Sequence, residues 1–330
     1  MDKQVKVAVI GAGYWGEKLI EEYIKLSTKR PTVKLQAIVD QSLDRLNYIK
    51  NKYNLPEKML YKDYKELLNN DNEVNAVHIA TPNETHYQIA MDSLENGKHI
   101  LLEKPMTLSS RTAFKLAREA EKSELVLLIG HIFRYNNAIN LAKKLVHNNV
   151  LGKINFINIK WVTHMENLPV RDIIFDLAPH PIDIINHILE EWPTSVYSKA
   201  RSFKRGEKGL EDSAFIIIDL PGNAIAGVTL SWIQPGAKTR TVEIVGDKST
   251  LYIDALTQKM QLYDNSNKQS EIKVEANNTI ETQLNHFIDR IINKVPPLSS
   301  PLIGAMTVYI LEKLKESIEK NSSVEIMAPI

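Results

Sequence analysis

The stretch that most constrains this chain is a strand, a glycine turn and a helix at residues 5–26. Val5–Ile10 is a short apolar run typical of a buried strand, and the sequence GAGYWG follows at Gly11–Gly16. Glu17–Leu26 then carries apolar residues at helical spacing. In this order the first glycine allows a tight turn, the second lets a pyrophosphate approach the backbone, and the third lets helix and strand pack closely. The stretch predicts a dinucleotide site at a helix N-terminus, with an ordinary glycine-rich turn as the alternative for the bare motif.

A second apolar strand, Val33–Val39, ends at Asp40. An acidic residue at this point of such a fold accepts hydrogen bonds from the adenosine ribose hydroxyls. Asp40 also suits the N-cap of the helix expected near Leu43, and both roles can hold together. A carboxylate repels a 2′-phosphate, and the nearest basic residue after it is Arg45. The pattern therefore favours NAD and disfavours NADP.

Composition narrows the class of protein. The 330 residues suggest two domains, divided as 1–130 for the NAD-binding part and 131–330 for substrate binding and oligomerisation. The net charge is +1 without a basic tract, so neither a nucleic acid nor a membrane is expected as a partner. The chain has no cysteine, which excludes disulfides, thiolate nucleophiles and cysteine–zinc sites, and we expect no metal site. Without a signal-like apolar region or a long apolar run, a soluble cytoplasmic protein is the simplest expectation.

Strands alternate with helices up to about Gly130, which predicts a doubly wound parallel sheet, a Rossmann fold. Ligands of such sheets lie outside the carboxyl ends of the strands. The glycine motif, Asp40, Thr81–Asn83 and Glu103–Pro105 all follow strands, so we expect them to line one crevice. Beyond Gly130 strands dominate, and the pattern predicts an α+β domain with a large, mostly antiparallel sheet.

The second half allows three more local predictions. Pro179 and Pro181 fit the start of a helix that runs to Leu189. The polar run Asn265–Ser270 predicts a loop. Apolar residues alternate along two strands, and we expect them on an open sheet face that carries an oligomer interface, or else packed on the late helices: Ile216, Ile218, Val228 and Leu230.

Three polar residues are candidates for the chemistry. Asp176 lies just before the helix expected at Pro179, and His180 lies in its first turn. Taken alone, Asp176 suits an N-cap and His180 a structural histidine. Lys104 follows a buried strand at the expected crevice. A lysine near a nicotinamide cation can exchange protons near neutral pH, because desolvation and like-charge repulsion disfavour its charged form, although a phosphate-binding or surface lysine is the alternative.

Several motifs in register resemble the glucose–fructose oxidoreductase / inositol dehydrogenase family (Gfo/Idh/MocA). The resembling segments are Thr81-Pro82-Asn83 with His86, Gly97-Lys98-His99 through Glu103-Lys104-Pro105, Gly130-His131 through Phe133-Arg134-Tyr135-Asn136, and Asp176 with His180 and Asp183. The resemblance spans about Val5 to Tyr263 and is weaker beyond. Ala178 and Pro181 depart from residues common in the family and affect the expected pocket rather than its catalytic groups.

The resemblance implies an NAD(P)-dependent dehydrogenase that moves a hydride between nicotinamide and a carbon of a sugar or nucleotide sugar. His180 would act as general base, or as acid in the reverse direction. Lys104 would steady the alkoxide oxygen and be aimed by a cis Lys104–Pro105 bond. Asp176 would orient the substrate or tune Lys104 and His180. The implied cofactor-binding residues are Gly11, Gly13, Tyr14, Trp15, Gly16, Asp40, Thr81, Pro82, Asn83, His86, Glu103 and Lys104. The implied substrate-binding residues are Arg134, Tyr135, Arg171, Asp176 and His180. A solvent-exposed or salt-bridged arginine is the alternative for Arg134 and Arg171, and a core side chain is the alternative for Tyr135. A homodimer or homotetramer is expected, and a non-catalytic NAD-binding sensor on the same fold is the alternative function.

Overall fold

The computed structural model describes residues 4–206 and 210–327. The chain divides into two compact units. The first comprises the residues up to His131 together with Ile280–Met306, and the second comprises Ile132–Thr279 and the residues from Thr307 on. A late segment thus packs with the N-terminal part of the chain, which a division of the sequence at residue 130 does not include. The functional labels of the two parts stay a prediction.

The first unit is built on a six-stranded parallel sheet in the order β3-β2-β1-β4-β5-β6. Its strands are β1 (Val5–Ile10), β2 (Val33–Val39), β3 (Leu60–Tyr61), β4 (Ala76–Ile79), β5 (His99–Leu102) and β6 (Leu127–Ile129). Its helices before residue 131 are α1 (Tyr14–Lys29), α2 (Leu43–Tyr53), α3 (Tyr64–Asn70), α4 (His86–Glu95) and α5 (Ser110–Lys122). The reversal of strand order beside β1 is the point at which such sheets bind ligands.

Local sequence explains the start of this unit. The β1 strand is buried along nearly its whole length, as a parallel strand covered on both faces must be. The α1 helix turns one apolar stripe to the sheet, including Leu19, Ile20 and Tyr23. Ser42 caps α2 by accepting a hydrogen bond from the Arg45 amide.

The helix α9 (Thr279–Asn293) completes the core of the first unit. Leu284, Phe287 and Ile288 are fully buried in the same apolar cluster as the β1 and β2 side chains. Burial of each such side chain contributes about 1.5–3 kcal/mol, which ties the late segment to the first unit. Two ion pairs join α9 to the C-terminal end of α1, since Lys29 contacts Glu281 at 2.8 Å and Arg30 contacts Asp289 at 2.6 Å.

The second unit is built on a nine-stranded sheet in the order β14-β13-β12-β11-β7-β10-β9-β8-β15. Its strands are β7 (Ile154–Val162), β8 (Ser195–Arg201), β9 (Ser213–Leu220), β10 (Ala224–Ser231), β11 (Thr239–Gly246), β12 (Ser249–Asp254), β13 (Lys259–Asp264), β14 (Gln269–Ile272) and β15 (Val324–Glu325). Its helices are α6 (Asn137–His147), α7 (Ile173–Leu177) and α8 (Pro179–Leu189), and α10 (Pro301–Lys320) begins in the first unit and runs into the second. Neighbouring strands are antiparallel except β7 and β10. The predicted fold class is confirmed.

The prediction of exposed interface residues is wrong for all four positions, and the stated alternative fits, because they share one apolar cluster with Ile310, Leu311 and Leu314 of the late helix α10. Ile216, Ile218, Val228 and Leu230 are at most 2% exposed and belong to the core. The alternate residues of the same strands face out, with Phe215 61% and Ile217 52% exposed. A period of two fits either face of a strand, and both sets in β9 are apolar, so the sequence pattern did not distinguish them.

The predicted loop at Asn265–Ser270 is shorter than expected. The β14 strand begins at Gln269 and pairs with β13, so the loop comprises residues 265–268. The α7 helix precedes the helix predicted at Pro179, and the Asp172 carboxylate caps it by accepting a hydrogen bond from the Ile174 amide.

Within residues 4–206 and 210–327, every helix is too short or too polar to span a bilayer.

Candidate active site

We call the strand ends of the first unit that carry Gly11–Gly16, Asp40, Thr81–Asn83 and Glu103–Lys104 the strand-end region. Its glycine turn has the geometry that dinucleotide binding requires. Gly11 has φ +96°, and a Cβ there would lie 2.6 Å from the Ala80 carbonyl oxygen. A Cβ on Gly16 would overlap the Gly11 carbonyl. A Cβ on Gly13 would meet nothing within 4 Å, so this glycine opens space beside the first turn of α1, where backbone N–H groups lack intrahelical acceptors. The turn therefore fits a pyrophosphate.

Asp40 is bound to the backbone of the glycine turn. One carboxylate oxygen accepts from the Ala12 amide at 2.8 Å, and the other accepts from the Ser42 amide at 2.9 Å. Asp40 thus stands directly after β2, as predicted, and Ser42 rather than Asp40 caps the next helix. A carboxylate oxygen has two lone pairs, so these bonds leave acceptor capacity for a ribose hydroxyl.

Arg45 holds the same turn from the other side. Its Nε donates to the Ala12 carbonyl, its Nη2 donates to Glu17, and its guanidinium lies 4.8 Å from the Tyr48 ring centroid. Asp40 therefore binds the amide of Ala12, and Arg45 binds the carbonyl of the same residue. The guanidinium is already engaged by a carboxylate, which matters for the choice of cofactor.

The aromatic and β4-end residues lie around the same turn. Tyr14 is 78% exposed, and Trp15 is half-buried in the first turn of α1. The hydroxyl of Thr81 accepts from Thr85 at 2.7 Å. Pro82 and Asn83 follow it in a short 3₁₀ turn before α4. Exposed aromatic surface here is available to cover a flat ring system.

Glu103 is buried at the end of β5 and is held by a chain of side chains. His78 Nε2 lies 3.2 Å from its carboxylate, and the Tyr23 hydroxyl lies 3.3 Å from His78 Nδ1. Because a carboxylate only accepts, Nε2 of His78 donates to it and Nδ1 accepts from Tyr23. Burial opposes ionisation of Glu103, but the His78 hydrogen bond and the Lys104 charge hold the pKa of the carboxyl below its ordinary value. A Cβ on Gly130 would lie 2.7 Å from this carboxylate, so the glycine makes room for it.

Lys104 is half-buried directly after Glu103, and the Lys104–Pro105 bond is cis, as predicted. His86, predicted to bind the cofactor, is instead fully buried. Its Nδ1 lies 2.9 Å from the Pro105 carbonyl oxygen and its Nε2 lies 3.0 Å from the Thr81 carbonyl oxygen. His86 therefore contacts backbone of the strand-end region, and its role as a cofactor contact is not supported by its burial.

In the second unit, Asp176 and His180 come from two short consecutive helices, and we call them with their neighbours Phe133, Trp161 and Arg240 the helix–sheet region. Asp176 lies inside α7, not at an N-cap, and is 8% exposed. It forms an ion pair with the exposed Arg171 at 3.2 Å. Pro179 begins α8 and His180 follows it, which places the imidazole in the first turn as predicted.

Two aromatic side chains surround His180. The Phe133 ring lies edge-on with centroids 5.3 Å apart, and the Trp161 ring lies 5.7 Å away at a 31° tilt. Trp161 is itself covered by Arg240, whose guanidinium lies 5.0 Å from its ring centroid. Burial lowers the pKa of Arg240 to about 10, and the negative charge of Asp176 partly offsets this lowering. The region thus combines a histidine, a carboxylate and a buried cation on an aromatic wall.

Two predicted substrate residues are buried in a scaffold. Arg134 is 5% exposed, and its Nε donates to Asp183 at 2.7 Å while its Nη2 donates to Asn186 at 2.6 Å. Its Nη1 also lies 3.4 Å from His187 Nδ1. Tyr135 is 1% exposed, and burial raises the pKa of its hydroxyl. These contacts give Arg134 a structural ion pair and leave Arg171 as the exposed arginine of the predicted set.

Sequence reasoning did not identify Trp161 and Arg240. The two residues lie directly opposite each other on β7 and β11, a pairing of strands nearly eighty residues apart that no local pattern reveals. Among the residues that the structure describes, no cluster of three or more His, Cys, Asp or Glu side chains could hold a metal ion.

Comparison with known proteins follows the same division. Residues 5–131 match the model described as the oxidoreductase family, NAD-binding Rossmann fold, and residues 139–252 match that of the GFO/IDH/MocA C-terminal domain. The chain is 24% identical to a myo-inositol 2-dehydrogenase of Thermotoga maritima, with 98% of each chain covered. It shares its fold with UDP-N-acetylglucosamine 3-dehydrogenase GnnA of Acidithiobacillus ferrooxidans (TM-score 0.84, 21% identity, 96% of this chain and 98% of the other). It also shares its fold with GenD2 of gentamicin A biosynthesis, solved with NAD (TM-score 0.85, 23% identity, 99% and 97%).

Proposed function

The chain belongs to the Gfo/Idh/MocA family of NAD-binding oxidoreductases that act on CH–OH groups, and from this premise we propose that it transfers a hydride between NAD and a ring carbon of a sugar-like alcohol. The observation that carries the proposal is the position of Lys104. It follows β5 at the same strand-end edge as the glycine turn and Asp40, where a parallel sheet presents its ligands.

The proposed roles follow from the chemistry of each side chain. NAD, when bound, supplies the hydride acceptor. His180 takes the proton of the substrate hydroxyl, and Lys104 donates a hydrogen bond to the resulting alkoxide oxygen. Asp176 is the acceptor that orients substrate hydroxyls, with Arg171 as its exposed partner. General acid–base transfer of this kind contributes about 10²–10⁴ in rate.

We propose NAD rather than NADP as the cofactor. Asp40 provides a carboxylate beside the glycine turn, which accepts from ribose hydroxyls and repels a 2′-phosphate. Arg45, the nearest cation after it in sequence, donates to Glu17 and to the Ala12 carbonyl. A 2′-phosphate would have to displace Glu17 from Arg45, which costs an ion pair.

The proposed substrate class is a cyclic polyol or a nucleotide sugar. The relatives above are named for myo-inositol and for UDP-N-acetylglucosamine. The exposed guanidinium of Arg171 supports a substrate with an anionic group, because its planar fork suits phosphate or carboxylate.

The test is formation of NADH from NAD⁺, or of NADPH from NADP⁺, with inositols, free aldoses and UDP-sugars, using wild type, Lys104→Ala and His180→Ala. We expect turnover on one substrate class with NAD⁺ and its loss, by about 10²-fold or more, in both variants. Turnover that survives His180→Ala would remove that residue as the base. NAD bound to the protein with no turnover on any substrate would favour the sensor function instead.

A second copy of the chain is the proposed protein partner, docked on the exposed face of the nine-stranded sheet. Phe215, Ile217 and Tyr252 are exposed and line a concavity of about 840 Å³. Phe156 and Ile225, paired on β7 and β10, add further exposed apolar surface. Such surface in one face marks an interaction site. Ile217→Lys should convert an oligomer to monomers in light scattering, whereas Lys65→Glu on the exposed side of α3 should not. A monomeric wild type would contradict the proposal.

A further inference from the structure

We propose that His86 is a positioning residue that joins the loop after β4 to the segment after β5 and thereby fixes where Lys104 stands. The inference rests on the proposed role of Lys104 but concerns contacts that exist without any ligand. His86 is the first residue of α4 and has no exposed surface.

The imidazole spans two neighbouring strand ends. Nδ1 lies 2.9 Å from the carbonyl oxygen of Pro105, the residue directly after Lys104. Nε2 lies 3.0 Å from the carbonyl oxygen of Thr81. The strands β4 and β5 that precede these loops are paired in register, so the ring ties together the two loops at the end of this strand pair.

The contact with Pro105 holds the backbone directly after Lys104. Proline has no N–H, so its carbonyl is its one main-chain hydrogen-bonding group. On the other side of Lys104, Glu103 is held by His78. Lys104 therefore lies between two residues that buried histidines hold, one through its side chain and the other through its backbone.

Both partners of His86 are carbonyl oxygens, which only accept. A neutral imidazole has one N–H and can donate to one of them, whereas an imidazolium donates to both. Burial lowers the pKa of His86, the two carbonyls and Glu103 oppose that effect, and the Lys104 charge reinforces it. The second proton therefore lets the ring hold both loops, and the charge of Lys104 disfavours that proton.

The experiment measures how fast the Lys104 amine reacts with acetic anhydride in the ligand-free protein, by mass spectrometry relative to Lys115. Wild type is compared with His86→Leu and His86→Gln. The matched control is His99→Leu, which removes a histidine hydrogen bond at the opposite end of β5. We expect Lys104 to react about threefold faster or more in His86→Leu, less so in His86→Gln, and at the wild-type rate in the control, because a released segment opens locally.

A second measurement uses wild type alone and so does not depend on the folding of a variant. The ¹⁵N resonances of the His86 ring are followed with pH, and the relative reactivity of Lys104 is followed over the same range. We expect the reactivity of Lys104 relative to Lys115 to fall as the ring gains its second proton, because the imidazolium donates to both carbonyl oxygens and holds the segment more firmly. A Lys104 reactivity that does not change as His86 titrates would overturn the proposal. A Lys104 reactivity that is unchanged in a folded His86→Leu would overturn it as well.

Turnover separates this inference from the proposed function. If a substrate is found, His86→Leu should lower kcat by about 10- to 100-fold with NAD⁺ affinity little changed, as misplacement of a catalytic group does. If no substrate is ever turned over while Lys104 reactivity still follows His86, the proposed function fails and the positioning role stands.

Discussion

The strand-end region and the helix–sheet region are assembled in different ways. In the strand-end region, the groups that face the space beyond the sheet are backbone atoms of the glycine turn and side chains that directly follow strands, such as Asp40 and Lys104. In the helix–sheet region, His180 is enclosed by Phe133 and Trp161, which come from distant parts of the chain. The difference teaches that a site made by backbone geometry is sensitive to added atoms, whereas one made by side chains is sensitive to lost contacts.

The largest expected effect concerns the buried ion pair between Arg134 and Asp183, which lies on α8 like His180. Arg134→Met should lower the free energy of unfolding by about 3–5 kcal/mol, because it leaves Asp183 buried without its cation. Urea unfolding measures it. Arg171→Met removes an exposed pair and should cost about 1 kcal/mol or less. Equal effects in the two variants would show that Arg134 does not support the region as described.

A pH effect of similar origin should follow from His187. Burial and the Arg134 charge lower the pKa of His187 to about 4 from 6.5. As pH falls through 6.5, the His187 imidazole is protonated in the unfolded chain but stays neutral in the folded chain. The free energy of unfolding therefore decreases between pH 6.5 and 4, and this contribution does not change further below pH 4. The loss is about 3 kcal/mol at most. In His187→Gln, the decrease in unfolding free energy between pH 6.5 and 4 should be smaller by that amount. The control His147→Gln should keep the wild-type pH dependence.

A smaller effect sharpens the other side of the comparison. Gly13→Ala adds one methyl group to a position with nothing within 4 Å, so the fold should be unaffected. The methyl occupies the space through which a pyrophosphate approaches, and NAD⁺ affinity should fall by about 10- to 100-fold. Titration calorimetry with NAD⁺ and thermal unfolding together check this. Unchanged NAD⁺ affinity would mean that the glycine turn does not hold the phosphates.

Sequence reasoning succeeded where the signal is local. The glycine turn and the first turn of α8 are set by consecutive residues, whose backbone preferences are readable one by one. It failed on the exposed face of the nine-stranded sheet, because Ile216 and Ile217 are both apolar and only tertiary packing decides which one is buried. It also could not find Arg240 beside Trp161, since their register depends on pairing between distant strands.

The Arg134 prediction shows a further limit. The residue type suits an anionic substrate, and so does its place in the family-like motif, yet its guanidinium lies in a buried cluster with Asp183 and Asn186. The residue type shows which groups a side chain can bind, but its burial and its partners in the folded chain cannot be read from the residue type.

The most direct measurement compares NAD⁺ affinity and turnover in three proteins: wild type, Gly13→Ala and His180→Ala. We expect Gly13→Ala to lose NAD⁺ affinity. We expect His180→Ala to bind NAD⁺ as wild type does but to form NADH at least about 10²-fold more slowly. If His180→Ala loses NAD⁺ affinity, or keeps its turnover, the two regions do not divide cofactor binding and proton transfer between them, and the account is wrong.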